Sequence, residues 1–159
     1  TSVEGLDVLA EISLEGNPKR AEIVKKIQEI TDLGIDGDIS FTDSLSRRIA
    51  LLQANKSHLG ELIKLLKGKL SASVAANKSF FKDYKDQIYV ISCGFKEFID
   101  PIVADLNITS DRVYANTFKF DENGTIVGFD EVNPLSQHNG KVNCLKGSKL
   151  VAAISFVEY

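Results

Sequence analysis

Ile88-Tyr89-Val90-Ile91-Ser92-Cys93-Gly94-Phe95 carries the most informative pattern in the sequence. Its first four residues form a short, continuous apolar run, which is typical of a strand that is buried in a parallel sheet. A turn of small residues follows, and a helical pattern of apolar residues then continues from Phe95 to Leu106. The stretch therefore predicts a strand–turn–helix unit at the start of an α/β half of the protein.

Upstream of this stretch, the chain is predicted to be helical nearly throughout. Apolar residues recur at three- and four-residue spacing in five segments, and we expect a helix in each. The segments are 3–14, 17–34, 41–53, 56–67 and one that is centred on Phe80-Phe81 and ends near Asp86. In the second segment, Asn17 is the predicted N-cap, Pro18 the first helical residue and Gly34 the end of the helix.

Downstream, two strand-like segments predict a β-hairpin at about 112–132. Residues 112–121 and 125–132 are joined by Glu122-Asn123-Gly124, and an Asn-Gly step is a strong hairpin signal. Residues 140–146 predict a short helix, and 150–157 predict another buried strand.

The resulting organisation has two parts. Residues 1–86 form a mainly helical segment, and residues 87–159 form an α/β part that contains the hairpin. This order, with helices ahead of a parallel sheet, predicts the α/β fold class.

The composition excludes several classes of protein. The 159 residues carry a formal net charge of −3 and have no Lys/Arg-rich run, which argues against nucleic acid as a partner. The longest apolar stretch, residues 150–156, is far shorter than the roughly 20 residues that cross a bilayer. Cys93 and Cys144 lie far apart and predict neither a zinc site nor a disulfide framework. We therefore expect a cytoplasmic protein without a membrane partner.

Two features are candidates for phosphate chemistry. The turn at Ser92-Cys93-Gly94 offers backbone N–H groups and a hydroxyl, which together suit a phosphoryl group. Lys141, just after Gly140 at the start of a predicted helix, can neutralise phosphate oxygens. Simpler interpretations stay open, because small-residue turns also serve packing and most lysines are only solvated.

Asp36-Gly37-Asp38 has the spacing of an aspartyl nucleophile next to an acid/base aspartate. That chemistry needs the carboxyl end of a buried strand, whereas the residues before Asp36 end a helix. We therefore interpret it as a polar loop.

Three stretches, in this order and spacing, resemble the phosphoserine phosphatases of the haloacid-dehalogenase-like hydrolase superfamily. The first comprises Glu4-Gly5-Leu6-Asp7 and residues 41–52, and the second is Ile91-Ser92-Cys93-Gly94-Phe95. The third runs from Val113 through Gly128-Phe129-Asp130 to Gly140-Lys141. The resemblance covers residues 1–147.

The resemblance implies a doubly wound parallel sheet with a small helical cap, which corresponds to the helical first half. It implies hydrolysis of L-phosphoserine to L-serine and phosphate in serine biosynthesis, with Mg²⁺ and an aspartyl-phosphate intermediate. By position, Ser92 corresponds to the residue that hydrogen-bonds the phosphoryl group, with Gly94 beside it, and Lys141 to the lysine that offsets its charge. Glu4 corresponds to the ligand of the substrate ammonium, Arg48 to the ligand of its carboxylate, and Phe41 to a cap residue that closes the site.

Two family motifs are not found in the sequence. No Asp-x-Asp-x-Thr motif, which carries the nucleophile, precedes Glu4, and no Gly-Asp-Gly motif follows Lys141. We therefore expect a truncated form that lacks the nucleophile and the first strand of the sheet and does not bind Mg²⁺. Pairing of residues 150–157 with 88–91 would partly fill the gap in such a sheet. The lack of any Met fits either a removed initiator or a start inside a longer product.

Two other functions remain open. One is a non-catalytic relative that binds a phospho-amino acid or a protein partner, and the other is an interaction fragment without a ligand. Formation of a homo-oligomer is also left open.

Overall fold

The structure is a computed structural model that describes residues 5–70, 74, 76–146 and 153–154. The helices are α1 (Gly5–Ser13), α2 (Arg20–Asp36), α3 (Phe41–Leu52), α4 (Lys56–Gly68), α5 (Lys78–Asp83), α6 (Lys96–Ala104) and α7 (Gly140–Lys146). The strands are β1 (Tyr89–Phe95), β2 (Val113–Asn116), β3 (Phe118–Phe120), β4 (Ile126–Phe129) and β5 (Ala153–Ile154). Short 3₁₀ turns lie at Ser110–Arg112 and Pro134–Ser136.

A three-stranded parallel sheet in the order β2-β1-β5 confirms the predicted α/β class. The central strand is β1, in which Val90 is 0% exposed, as its apolar run predicts. Val90 pairs with Val113 of β2 on one side and with Ile154 of β5 on the other. The expected pairing of 150–157 with 88–91 is thus confirmed for the two residues of that segment that the structure describes.

The segment 112–121 was predicted as one strand of a hairpin, and this prediction is wrong. Residues 113–116 pair in parallel with β1, and only β3 and β4 form the antiparallel pair, with Phe118 opposite Phe129. After Thr117 the chain pairs with β4 instead of β1, because contacts with Phe95 and Glu97 hold Phe118 in place. Its ring stacks on Phe95 with centroids 3.8 Å apart, and its backbone N–H donates to Glu97 Oε1 at 2.9 Å.

The helical part and the sheet share one hydrophobic core. Leu9 and Ile27 from the helices lie in the same cluster of buried side chains as Phe95 from the sheet and Phe129 from the hairpin. The division into a part at 1–86 and a part at 87–159 stays a prediction. No helix in the described ranges is long and apolar enough to cross a membrane.

Helix α2 differs from its prediction at both ends. It begins at Arg20, because Asn17 Oδ1 accepts from Lys19 N at 2.9 Å and forms a separate turn around Pro18. It continues through Gly34 and ends at Gly37, whose φ of 82° is the left-handed conformation that favours glycine.

Gly34 has a packing role inside α2. A Cβ at this position would lie 2.8 Å from Ser44 Oγ of α3, so the missing side chain lets the two helices approach. Asp36 is the last residue of α2 rather than part of a loop, and both Asp36 and Asp38 are exposed, so the segment does not lie at the carboxyl end of a buried strand.

Glu97 holds the hairpin onto α6 at an electrostatic cost. Its Oε1 accepts from Phe118 N, whereas its Oε2 is buried without a hydrogen-bond partner among the described residues. Desolvation raises the pKa of the Glu97 carboxyl above its ordinary value of 4.5, and the nearby Asp100 carboxylate adds to this effect. The folded protein therefore binds this proton more tightly than the unfolded chain does.

Substituting Gly34 tests the close packing of α2 and α3. Gly34→Ala gains helix propensity but overpacks against Ser44, and we expect it to lower the free energy of unfolding by about 1 kcal/mol. Gly60→Ala in α4 is the matched control, because no atom lies within 4 Å of the added Cβ. This control should stabilise the protein by about 0.5–1 kcal/mol in urea denaturation. Equal stabilisation by both variants would contradict the packing role.

Substituting Glu97 tests the buried carboxylate. A raised pKa means that stability is present below the unfolded-state pKa and is lost as the pH rises through the folded-state value. Glu97→Gln keeps the acceptor for Phe118 N but removes the charge, so its free energy of unfolding relative to wild type should rise between pH 4 and pH 7. Glu22→Gln, an exposed acid in the first turn of α2, is the control and should show no such rise. A difference that is independent of pH would disprove the assignment.

Candidate functional site

Three elements that carry predicted site residues meet at one loop, residues 133–137, which we call the junction loop. It contacts the start of α3, the carboxyl end of β1 and the start of α7. Thr42 Oγ1 of α3 donates to Ser136 O at 2.6 Å, and Asn116 Nδ2 joins Leu135 O to Cys93 O. The loop therefore places Phe41, Ser92 and Lys141 on elements that surround one region.

The prediction of a turn at 92–94 is wrong, because these residues are the last part of β1, where the register with β2 is irregular; we keep the name Ser92–Gly94 turn for this irregular end of the strand. Ser92 is 6% exposed, and its Oγ accepts from Gly94 N at 3.0 Å, which leaves its own hydroxyl proton to donate. A Cβ on Gly94 would lie 2.9 Å from Ile99 Cδ1 and 3.3 Å from Ser92 Oγ. Glycine at this position therefore lets α6 pack closely without displacing the serine.

Lys141 lies in the first turn of α7, which contacts β1 as well as the junction loop. Gly140, the first residue of the helix, packs closely against the junction loop. An added Cβ at this position would lie 2.7 Å from Leu135 Cα, so only glycine allows this approach. The predicted short helix over 140–146 is confirmed. The lysine and Ser92 are thus on neighbouring elements, although they are 49 positions apart in the sequence.

Phe41 and Arg48 occupy the same face of α3, about 10 Å apart along the axis, because seven residues make two turns. Phe41 begins the helix next to the Thr42–Ser136 hydrogen bond and packs against the hydrophobic core. Arg48 is 2% exposed.

Arg48 is held inside the helical part. Its Nη1 donates to Thr31 Oγ1 of α2 at 3.2 Å, and its Nε donates to Ser44 O at 3.4 Å. Thr31 Oγ1 lies 3.2 Å from Asp7 Oδ1 of α1 as well, so three helices meet at this polar cluster. Arg48 is therefore not part of the surface around Ser92 and Lys141, and a substrate carboxylate would have to reach it between the helices.

Glu4 lies outside the described residues. The next residue, Gly5, begins α1 against Phe98, with its ideal Cβ 2.9 Å from Phe98 Cζ. Phe98 also lies against Gly94, where an added Cβ would be 3.4 Å from Cε2. The start of α1 is therefore close to the turn that follows Ser92.

The described residues do not fit a magnesium site. Within 5–70, 74, 76–146 and 153–154, no group of three or more His, Cys, Asp or Glu side chains could hold a metal ion. A hard divalent cation needs several oxygen ligands. No step through Mg²⁺ is therefore derived from these residues.

The sequence analysis missed three polar residues that organise the region: Thr31, Thr42 and Asn116. Asn116 had a detectable signal, because it follows the apolar run of β2 at the carboxyl end of a parallel strand, where functional groups gather. The sequence gives no such signal for Thr31, because its partner Arg48 lies on another helix and is brought near only when α3 packs against α2.

Curated phosphoserine phosphatases are similar to most of the chain. That of Mus musculus is 30% identical over 138 residues, which are 87% of this chain and 58% of the relative. That of Homo sapiens is 29% identical over 143 residues, or 90% of this chain and 60% of the relative. The chain thus spans less than two thirds of the length of these curated relatives. No family model matches it.

A solved structure is similar as well. The phosphoserine phosphohydrolase-like protein from Francisella tularensis subsp. tularensis superimposes with a TM-score of 0.74 at 28% identity, covering 96% of this chain and 70% of that one. The similarity of sequence and the similarity of fold point to the same group of proteins, which is also the one that the three sequence stretches resemble. The chain is therefore similar, in sequence and in fold, to phosphoserine phosphatases of the haloacid-dehalogenase-like group.

Proposed function

We propose that the protein recognises L-phosphoserine, and that its phosphoryl group binds where β1, α7 and the junction loop meet. The observation that carries the proposal is the convergence of Ser92, Lys141 and Phe41 on elements around this single loop. The names of the relatives support the identity of the substrate. Hydrolysis to L-serine and phosphate, as a step of serine biosynthesis, is the activity that we propose this recognition serves.

The phosphoryl end of the substrate is assigned to the turn and the lysine. The Ser92 hydroxyl donates to a phosphoryl oxygen while its own oxygen stays bonded to Gly94 N, so the donor is preoriented. Lys141 adds a compact positive charge, which offsets the negative charge of the phosphoryl group. Gly94 leaves space beside the serine hydroxyl.

The amino-acid end is assigned to the helical part. Arg48 carries a planar fork of donors that matches a carboxylate, and because it is 2% exposed and donates to Thr31 and Ser44, we propose that a substrate carboxylate reaches it between the helices and exchanges with these contacts. The resemblance gives Glu4 the ammonium group and Phe41 the closure of the site. A ligand without the amino acid would leave these groups unused, so the arrangement favours phosphoserine over a simple phosphate ester.

The hydrolytic step needs carboxylates that the described residues do not assemble. In the family, Mg²⁺ would help to neutralise the phosphoryl oxygens, and an aspartate would accept the phosphoryl group. The residues described here supply binding, orientation and charge compensation. Binding is consequently the property that tests their assignment directly.

Titration calorimetry with inorganic phosphate and with L-phosphoserine tests the phosphoryl end. Ser92→Ala and Lys141→Ala should each weaken both ligands about tenfold, since one charge-assisted hydrogen bond contributes about 1.5 kcal/mol or more. Ser46→Ala and Lys26→Ala are matched controls, because both residues are exposed on helices far from β1 in the sequence. The controls should bind both ligands as the wild type does.

A third variant tests the amino-acid end. Arg48→Lys keeps the charge but loses the fork, and we expect it to weaken L-phosphoserine about tenfold more than inorganic phosphate. Equal weakening of the two ligands would remove Arg48 from the proposed site. Loss of binding in the control variants as well, or no binding by the wild-type protein, would disprove the proposed function.

A further inference from the structure

Asn116 occupies an unusual position at the end of β2. Its side chain is 0% exposed, and its amide nitrogen donates to two backbone oxygens, Cys93 O at 2.8 Å and Leu135 O at 3.3 Å. Its Oδ1 is also buried and has no hydrogen-bond partner among the described residues. A buried acceptor without a partner costs free energy, so stability alone is a poor explanation for an asparagine here.

The two oxygens belong to different parts of the candidate site. Cys93 is the middle residue of the turn that carries Ser92 and Gly94, and Leu135 lies in the junction loop five residues before Gly140. One carboxamide therefore fixes the separation between the turn and the loop that leads to Lys141. The register of β1 with β2 is irregular between Ile91 and Phe95, and within this interval the Asn116 carboxamide donates to Cys93 O.

A second contact shows that the loop itself is ordered independently. Asn133 Nδ2 donates to Ala115 O at 2.8 Å, and its Oδ1 accepts from Leu135 N at 2.9 Å. Asn133 thus shapes the junction loop and attaches it to β2, but it makes no hydrogen bond to the turn. The link from the loop to the turn is the part that Asn116 supplies.

We infer that Asn116 is a positioning residue, which holds the Ser92–Gly94 turn and the Lys141-bearing segment at the spacing that a phosphoryl group requires. The inference rests on the proposed function. Asn116 does not contact the ligand in this role. It acts through the Cys93 and Leu135 carbonyl groups, so its loss should affect the phosphoryl end of any ligand and leave the amino-acid end unchanged.

Two substitutions separate positioning from stability. Asn116→Ala removes the link and leaves a cavity, whereas Asn116→Leu removes the link and fills the space, so the two variants should differ in stability. We expect both to weaken inorganic phosphate at least tenfold, and to weaken L-phosphoserine by the same factor. Asn55→Ala, which also loses two side-chain hydrogen bonds (to Asn123 O at 2.9 Å and from Ser57 N at 3.0 Å) but lies outside the proposed site, is the matched control and should stay within twofold of wild type.

Amide NMR spectra of the free variants provide a readout that needs no ligand. In both Asn116 variants, the amide signals of 92–94 and of 135–141 should shift together, and in Asn133→Ala only those of the loop should shift. If the signals of 92–94 do not respond to either Asn116 variant, the link does not exist and the inference is overturned, whatever the protein binds.

The binding data separate the two proposals. If wild type binds phosphate and the Asn116 variants bind it equally well, the inference alone fails. It also fails if Asn55→Ala loses as much affinity as Asn116→Ala, because general destabilisation would then explain both. If wild type binds neither phosphate nor L-phosphoserine while the spectral link is present, the proposed function fails and the positioning role falls with it.

Discussion

The burial of β1 in the middle of the parallel sheet determines how the elements around it pack and where polar groups can lie. Because β1 pairs on both sides, its side chains must fill the space between the sheet and the helices, and Val90 and Phe95 do so in the common core. A buried strand has only its ends free for polar groups. Ser92 and Gly94 lie at the carboxyl end, and the chain turns directly into α6 from there.

Close approach of neighbouring elements is achieved by glycine at four places around this strand. Gly5 meets Phe98, Gly34 meets Ser44, Gly94 meets Ile99, and Gly140 meets the junction loop. At each of them an added Cβ would come within 3.0 Å of another side chain or of the backbone. The contacts link α1, α6 and α7 to the end of β1 and bring α2 against α3. The positions of Lys141 and of the helical part therefore follow from packing, before any ligand is considered.

The sequence alone predicted the elements well wherever periodicity decides them. The strand that the apolar run at 88–91 predicts is present as β1 (Tyr89–Phe95), and the helices α3 and α4 and the short helix at 140–146 also follow from apolar spacing. Two errors have one cause, since local pattern does not reveal tertiary partners. Gly34 and Gly37 look alike in sequence, yet only the approach of Ser44 assigns one to packing and the other to the helix end. The alternation from Val113 to Phe120 also continues through Thr117, where the chain exchanges β1 for β4 as its partner.

The sequence could name candidate site residues but not the contacts that surround them in the fold. Ser92 and Lys141 have local signals, whereas Arg48 was assigned by resemblance, and its burial against Thr31 is visible only in the folded chain.

Buried polar groups at both ends of the region would make the proposed site selective. A ligand carboxylate would give the buried Arg48 guanidinium a charged partner, which a ligand without a carboxylate cannot supply. The carboxamide of Asn116 is equally shielded, and its two backbone contacts leave the turn little freedom to adapt to a group of another size. Selectivity would then come from rigidity at the phosphoryl end and from desolvation at the amino-acid end. The two ends of the proposed site differ in the physical origin of their selectivity. They are connected through α3 by the hydrogen bond from Thr42 to Ser136 in the junction loop.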